Sequence, residues 1–362
     1  MFLSRHEAML QAIVVQPNDD SLRLIYSDFL EDDGDFERAQ LIRIQVEMRQ
    51  LGPKDPKFPH LRQLEQALIR KNDVRWKSEL PQFRGIEYEN FESGLISSVR
   101  VQDPEMFLLN YEKILNAAPI QEISGHRFRP DWLGTLVALP EFARIRRLDL
   151  SDGNRIGNLG LQEIVDSPHS RQLTSLKLDN NNIGPGGLTA LAQRGNFPHL
   201  TVLSLDRNAL FADGLQQLAQ ATGLSSLKWL SMAWTQIDST AMQALAEAPF
   251  HLRTLYASGN NISDAGWRMY AYSEAASELE NLYLERTLIG DDAANALADS
   301  PRLQHLHGVY LRGNRITDLG ATAIIESPHL QEIEEIILGD NAISAAMHDP
   351  LKQRFGRRVQ IY

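Results

Sequence analysis

From Ile145 onward the aliphatic residues recur in the frame LxxLxLxxNxI, with eight starts at Ile145, Leu173, Leu200, Leu227, Leu252, Leu279, Leu306 and Ile333, spaced 28, 27, 27, 25, 27, 27 and 27 residues apart. The fourth position of the frame is Leu148, Leu176, Leu203, Leu230, Leu255, Leu282, Val309 and Ile336, and the sixth is Leu150, Leu178, Leu205, Met232, Ala257, Leu284, Leu311 and Leu338. Alternation of this kind predicts a short strand with one face against a core. The ninth position carries Asn181, Asn208, Asn260, Asn314 and Asn341, with Thr235 and Thr287 in two repeats and Asn154 displaced by one residue in the first. Short polar side chains there satisfy backbone groups where each strand leaves the sheet, so this column reads as a structural ladder.

Past the turn come Ile156, Ile183, Leu210, Ile237, Ile262, Ile289 and Ile316, and four residues beyond each stands only Gly or Ala: Gly160, Gly187, Gly214, Ala241, Gly266, Ala293 and Gly320. A residue without bulk lets a helix start close against the strand layer. Leu188, Leu191 and Ala192, like Leu215, Leu218 and Ala219, then have helical spacing. Each unit is therefore strand, turn, helix, and such units bury their apolar faces only by stacking into a parallel sheet lined by helices.

A unit of about 27 residues with a full helix resembles the ribonuclease-inhibitor subtype of leucine-rich repeat. The resemblance implies an α/β solenoid, a horseshoe with a concave parallel sheet and convex helices. It spans 145 to about 343 and departs from the subtype in lacking cysteine at the ninth position. Upstream, Ile96, Val99 and Val101, then Ile120 and Ile123, look like two degenerate repeats. The expected division is a helical N-terminal cap over 1–90, degenerate repeats over 91–144, and regular repeats with a C-terminal cap over 145–362.

In the first region Leu22, Ile25, Tyr26 and Phe29 fall at helical spacing after the capping candidates Asp19, Asp20 and Ser21, and Gly34 is a helix stop. Phe36, Ala39, Ile42 and Val46 make a second stripe. A helical hairpin is expected over residues 7–51, with a further helix from about Leu61 to Leu80 after the break Pro53 to Pro59. The string from Asp20 through Tyr26, Asp28, Phe29, Gly34 and Asp35, continuing to Arg38, Ala39, Ile42 and Gln45, resembles the short repeat-companion domain of some bacterial repeat proteins. That resemblance implies no chemistry; the bland role is a cap over the first repeat.

Composition narrows the function. Hydrophobic residues at 43% and charged residues at 23% of 362 positions fit an ordinary folded chain. A formal net charge of -11 opposes attraction to nucleic acid or to anionic membranes. The absence of cysteine excludes thiol nucleophiles and thiolate metal sites and favours a reducing, cytoplasmic location. The start Met1-Phe2-Leu3 leads into no signal-peptide core, and no stretch approaches a transmembrane helix.

Enzyme signatures are missing: there is no GxxxxGK, GxGxxG, HExxH or GxSxG. No catalytic residue, cofactor or metal is assigned. The acidic cluster Glu31, Asp32, Asp33, Asp35 and Glu37 lacks the calcium-loop pattern, and His305 with His307 has no third ligand nearby in sequence. The triplet Asn261-Ile262-Ser263 belongs to a repeat turn.

Positions that the repeat does not dictate are the informative ones. The third, fifth and seventh positions should face outward from the sheet. The fifth reads Asp149, Lys177, Ser204, Ser231, Tyr256, Tyr283, Tyr310 and Ile337, with three consecutive tyrosines. These are expected to form a ladder roughly 10 Å long, given strands about 4.8 Å apart. Trp229 at the third position and Trp234 at the eighth should lie beside it, with Arg207, Arg286, Arg312, Asp179, Asp206 and Glu285 around it. Tyr, Trp and Arg dominate binding energy at protein interfaces. The leading expectation is a non-enzymatic module holding a protein partner on this face. The alternatives are a regulator of a GTPase or inhibitor of an enzyme, with Arg207 or Arg286 acting in trans, and a scaffold that oligomerises through its N-terminal helices.

Overall fold

The computed structural model describes residues 4–151 and 153–361; Met1, Phe2 and Leu3, on which the reading of the N-terminus begins, and Tyr362, where the last region ends, lie outside the described residues. The chain divides into two compact units, Met1–Arg127 with Pro140–Asp149, and Phe128–Leu139 with Leu150–Tyr362.

The first unit opens with four helices, α1 (Arg5–Val15), α2 (Asp20–Asp32), α3 (Phe36–Leu51) and α4 (Phe58–Ser78). One more helix is present than the expected hairpin and its successor. α1 starts at a capping box in which Glu7 N–H donates to Ser4 Oγ and Ser4 N–H to the Glu7 carboxylate, a Ser-x-x-Glu signature legible in the sequence. Asp19 caps α2 and Asp35 caps α3. α4 begins three residues before the expected Leu61, with a proline in its first turn.

The expected α2 stripe is rotated: Arg23, Tyr26, Ser27 and Leu30 are buried, while Ile25 is 54% exposed. Arg23 takes the inward place because its guanidinium donates to the carbonyls of Pro17, Glu92 and Ser93, which would otherwise be left without donors. Burial draws its pKa down to about 10. On α3, Ala39, Ile42 and Val46 join the core as expected and Phe36 does not. Three of the five residues of the acidic cluster are in ion pairs: Glu31 meets Arg43 at 2.5 Å, Asp35 meets Arg75 at 3.2 Å and Glu37 meets Lys71 at 2.5 Å.

After α4 come β1 (Ile86–Tyr88), the hairpin β2 (Phe91–Glu92) and β3 (Leu95–Ile96), β4 (Ser98–Val101), α5 (Pro104–Ala117), β5 (Glu122–Gly125) and β6 (Arg147–Asp149). β1 runs antiparallel to β4, whereas β4, β5 and β6 are parallel, with Val99, Ile123 and Leu148 in register and fully buried. β4 and β5 carry Val99, Val101 and Ile123 of the two stretches read as degenerate repeats, and β6 is the strand of the first regular one.

The second unit begins with α6 (Pro130–Ala138) and α7 (Gly157–Asp166), and then alternates strand and helix. The strands are β7 (Ser175–Lys177), β8 (Val202–Ser204), β9 (Trp229–Ser231), β10 (Thr254–Tyr256), β11 (Asn281–Tyr283), β12 (Gly308–Tyr310) and β13 (Glu335–Ile337). The helices between them are α8 (Pro185–Arg194), α9 (Phe211–Leu218), α10 (Ser239–Leu245), α11 (Asp264–Ala271), α12 (Asp291–Asp299) and α13 (Asp318–Glu326). Each strand pairs in parallel with the next, fourth position opposite fourth position. Every fourth and sixth residue of the frame is at most 2% exposed, and truncating one such leucine to alanine costs about 2–5 kcal/mol. The small column after the turn is explained by contact: a Cβ at Gly266 would sit 2.6 Å from the Ser239 backbone and one at Gly320 2.6 Å from Asp291.

The chain closes with α14 (His348–Phe355) and β14 (Val359–Gln360), which adds a last parallel strand to β13. Arg358 donates to the Ile333 carbonyl at 2.7 Å and Arg354 to the Ser327 carbonyl at 3.1 Å. Through these two arginines the charged segment Lys352 to Arg358 closes over carbonyls at and just before the start of the final repeat.

Candidate functional site

The outward positions of the second unit rest on the ninth-position ladder. Asn208 is typical: its amide donates to the carbonyls of Leu178 and Leu205, and its oxygen accepts from Asn181 N–H and Ile183 N–H in the preceding repeat. Asn260, Asn314 and Asn341 repeat the scheme. Thr235 and Thr287 turn their hydroxyls onto their own repeats and receive the next asparagine. With buried backbone groups satisfied in this way, the strand ends are rigid.

On the strand face the fifth column splits in two. Ser204 and Ser231 are only 2% and 1% exposed, although both were expected to face outward. The aspartates of the seventh column seal them. Asp179 accepts from Ser204 Oγ at 2.5 Å, from Asp206 N–H at 2.9 Å and from Ser151 Oγ at 3.2 Å. Asp206 accepts from Ser231 Oγ at 2.5 Å and Ala233 N–H at 2.7 Å. Burial raises the pKa of Asp179 and the Asp206 charge adds to this, while the bonds from Ser204 and Ser151 oppose it.

The other half of the column is aromatic. Tyr256 stacks on Tyr283 with centroids 3.8 Å apart and planes 9° apart, and Tyr283 on Tyr310 at 4.1 Å and 5°. The ladder is shorter than expected because the rings lean together to less than the strand spacing of about 4.8 Å. Trp229, on the strand before, covers the free end at 5.1 Å from Tyr256. The inner ring faces are spent on one another, so edges and hydroxyls are what the stack presents. Tyr310 donates its hydroxyl to Glu335 at 2.6 Å, a partner that the repeat frame did not single out. Burial raises the pKa of all three phenols, and the Glu335 charge adds to it for Tyr283 and Tyr310.

Trp234, Arg207 and Arg286 are brought together differently, at the turn that ends each strand. In the second to eighth repeats the eighth residue has a left-handed backbone, at Asn180, Arg207, Trp234, Gly259, Arg286, Gly313 and Asp340, and in the first, where the turn asparagine is displaced by one residue, Gly153 takes that place. Gly, Asn and Asp adopt it readily. Arg and Trp do so at a cost of about 1 kcal/mol each. Trp234 is 51% exposed and lies over Gly259, where a Cβ would come within 2.3 Å of the indole. Arg286 lies likewise over Gly313, where a Cβ would stand 2.9 Å from its Cγ. Sequence reasoning missed this column, although its run of Gly, Asn and Asp was the signal for it.

The remaining expected residues are exposed or half-buried and engaged to different degrees. Arg312 pairs with Asp340 at 2.7 Å. Glu285 donates its backbone N–H to Ser258 Oγ at 3.1 Å. His305 and His307 both approach Glu332, at 3.9 and 3.8 Å, a neighbour not visible from sequence spacing. Among the described residues no group of three or more His, Asp or Glu is arranged to hold a metal ion, and no helix is long and apolar enough to cross a membrane.

Residues 169–192 and 302–324 match a family model described as leucine-rich repeat. Among solved structures, a Leptospira interrogans LRR protein aligns at 17% identity over 69% of this chain and 68% of that one, with a TM-score of 0.40. No curated protein matches the chain in sequence. The second unit is a parallel-strand α/β stack that carries leucine-rich repeats. Domains of this kind generally mediate protein–protein interaction and are typically non-enzymatic.

Proposed function

We propose that this chain is a non-enzymatic interaction module that holds a protein partner on the strand face of its repeats, with Trp229, Tyr256, Tyr283 and Tyr310 as the anchor. The observation that carries the reading is the stack itself: a preorganised aromatic row on strand positions where the neighbouring repeats use serine and where no interior packing requires a ring. Rings already ordered lose little side-chain entropy on binding, which is how such residues become hot spots. In this reading Asp179 and Asp206 brace the floor beside the stack, and Glu285, Arg312 and the turn residues form its rim. A footprint of about 800 Å² per partner is the usual size of such a contact. The location is cytoplasmic in the same reading, on the absence of cysteine.

The test is copurification from native lysate of the intact chain and of a Tyr256→Ala/Tyr283→Ala variant whose fold is checked by circular dichroism. Loss of a partner with the variant supports the anchor. Equal recovery moves the working surface away from the strand face.

A further inference from the structure

The turn column carries information that the stack does not. Arg207, Trp234 and Arg286 occupy a left-handed position that five other repeats give to Gly, Asn or Asp. All three side chains are exposed, so no core contact compensates for the backbone they adopt. Two of them are held flat over glycines of the next repeat, and at those glycines any larger side chain would collide with them. Among the described residues neither Arg207 nor Arg286 has a carboxylate within 4.0 Å, whereas Arg312, at the seventh position of the repeat after that of Arg286, is paired with Asp340. Unmatched guanidinium groups flanking an exposed indole, in a chain of net charge -11, make a locally cationic and aromatic edge.

We propose that this edge is the docking line for an extended acidic segment of the protein partner, with one carboxylate on Arg207, an apolar side chain on Trp234 and a second carboxylate on Arg286. The proposal rests on the strand-face reading above and adds the chemistry of what is bound. Spacing sharpens it. Arg207 and Arg286 are three repeats apart, roughly 14 Å at a strand spacing of about 4.8 Å. An extended chain covers that distance in about four residues at roughly 3.4 Å each. The segment therefore carries two acidic residues four apart, with an apolar residue two after the first, since positions i, i+2 and i+4 of an extended chain share one face. Arginine suits this role because its planar fork grips a carboxylate with two parallel bonds.

The experiment measures fluorescence anisotropy of two labelled peptides, one containing Glu-Ser-Leu-Ser-Glu and one Lys-Ser-Leu-Ser-Lys, against the full chain and an Arg207→Asn/Trp234→Asn/Arg286→Asn variant. Asparagine is the residue that Asn180 already places at this turn, so the variant is expected to melt no lower than the parent. The proposal expects the acidic peptide to bind at least 10-fold more tightly than the basic one, to lose at least 10-fold in the variant, and to weaken as salt rises. Equal binding of both peptides, no binding of the acidic one, or unchanged binding by the variant overturns it. So does a variant that melts clearly lower, since the three side chains would then be structural. Partner copurification separates the two readings: a partner lost with Tyr256→Ala/Tyr283→Ala but kept by the asparagine variant overturns this inference alone, and the reverse result overturns the tyrosine anchor alone.

Discussion

Two stretches of one column behave oppositely. In the third and fourth repeats the fifth position is serine, locked under a seventh-position aspartate and closed to solvent. In the fifth, sixth and seventh repeats the same position is tyrosine, stacked but still presenting its edge. The backbone is the same in both, since the strands pair in continuous register. The difference shows that an outward position is not a free surface by virtue of alternation alone. A short hydroxyl beside a carboxylate turns inward and is absorbed into the scaffold; a large ring cannot be, and stays available.

The comparison can be broken first at what both halves share. Asn260→Ala removes amide donors to the Met232 and Ala257 carbonyls and the acceptor for Thr235 N–H, all buried. Each orphaned group costs about 1–3 kcal/mol, so a loss of at least about 3 kcal/mol is expected in urea unfolding. A loss below 1 kcal/mol would show that the ladder is not what holds the strand ends.

Next comes the aromatic half. Tyr256→Ala/Tyr283→Ala should weaken partner binding by about 2 kcal/mol or more, roughly 30-fold, while costing the fold only about 1–2 kcal/mol from lost stacking. Titration calorimetry and urea unfolding of the same variant give both numbers. If stability suffers more than binding does, the rings serve the fold.

The serine half should answer in the opposite sense. Asp206→Asn keeps the shape but weakens the bonds from Ser231 and Ala233, at an expected cost of about 1 kcal/mol in stability with partner affinity unchanged. A clear affinity loss without a stability loss would place this half in the contact.

The smallest effect is electrostatic. The folded-state pKa of each stacked phenol lies above its ordinary value, so between the two values the folded chain holds protons that the unfolded chain releases. Stability is thus full below about pH 10 and falls as pH rises beyond it. Replacing Tyr283 by phenylalanine should flatten that decline, as followed by circular dichroism against phenolate absorbance; an unchanged alkaline slope would show that the stack does not set it.

Much of the fold was legible in the chain because periodic burial leaves a periodic trace. The fourth, sixth and ninth columns and the small residue after the turn each answer to one local demand, repeated with every unit, and all fell where the frame placed them. The N-terminal helices were less legible. There Arg23 occupies a core-facing place that a stripe of apolar letters assigns to Ile25, because carbonyls from a hairpin about 70 residues away need its donors.

By itself the sequence determined the repeat, its strand-turn-helix content, the parallel sheet and the tyrosines' place on one strand face, since each follows from spacing along the chain. Only the tertiary structure decided which outward residues are sealed, that Asp179 and Asp206 work downward and Tyr310 leans on Glu335, and that Arg207, Trp234 and Arg286 share one edge. Those outcomes depend on partners 25 to 28 residues away, brought side by side by stacking, and on backbone dihedrals that no hydrophobic pattern encodes.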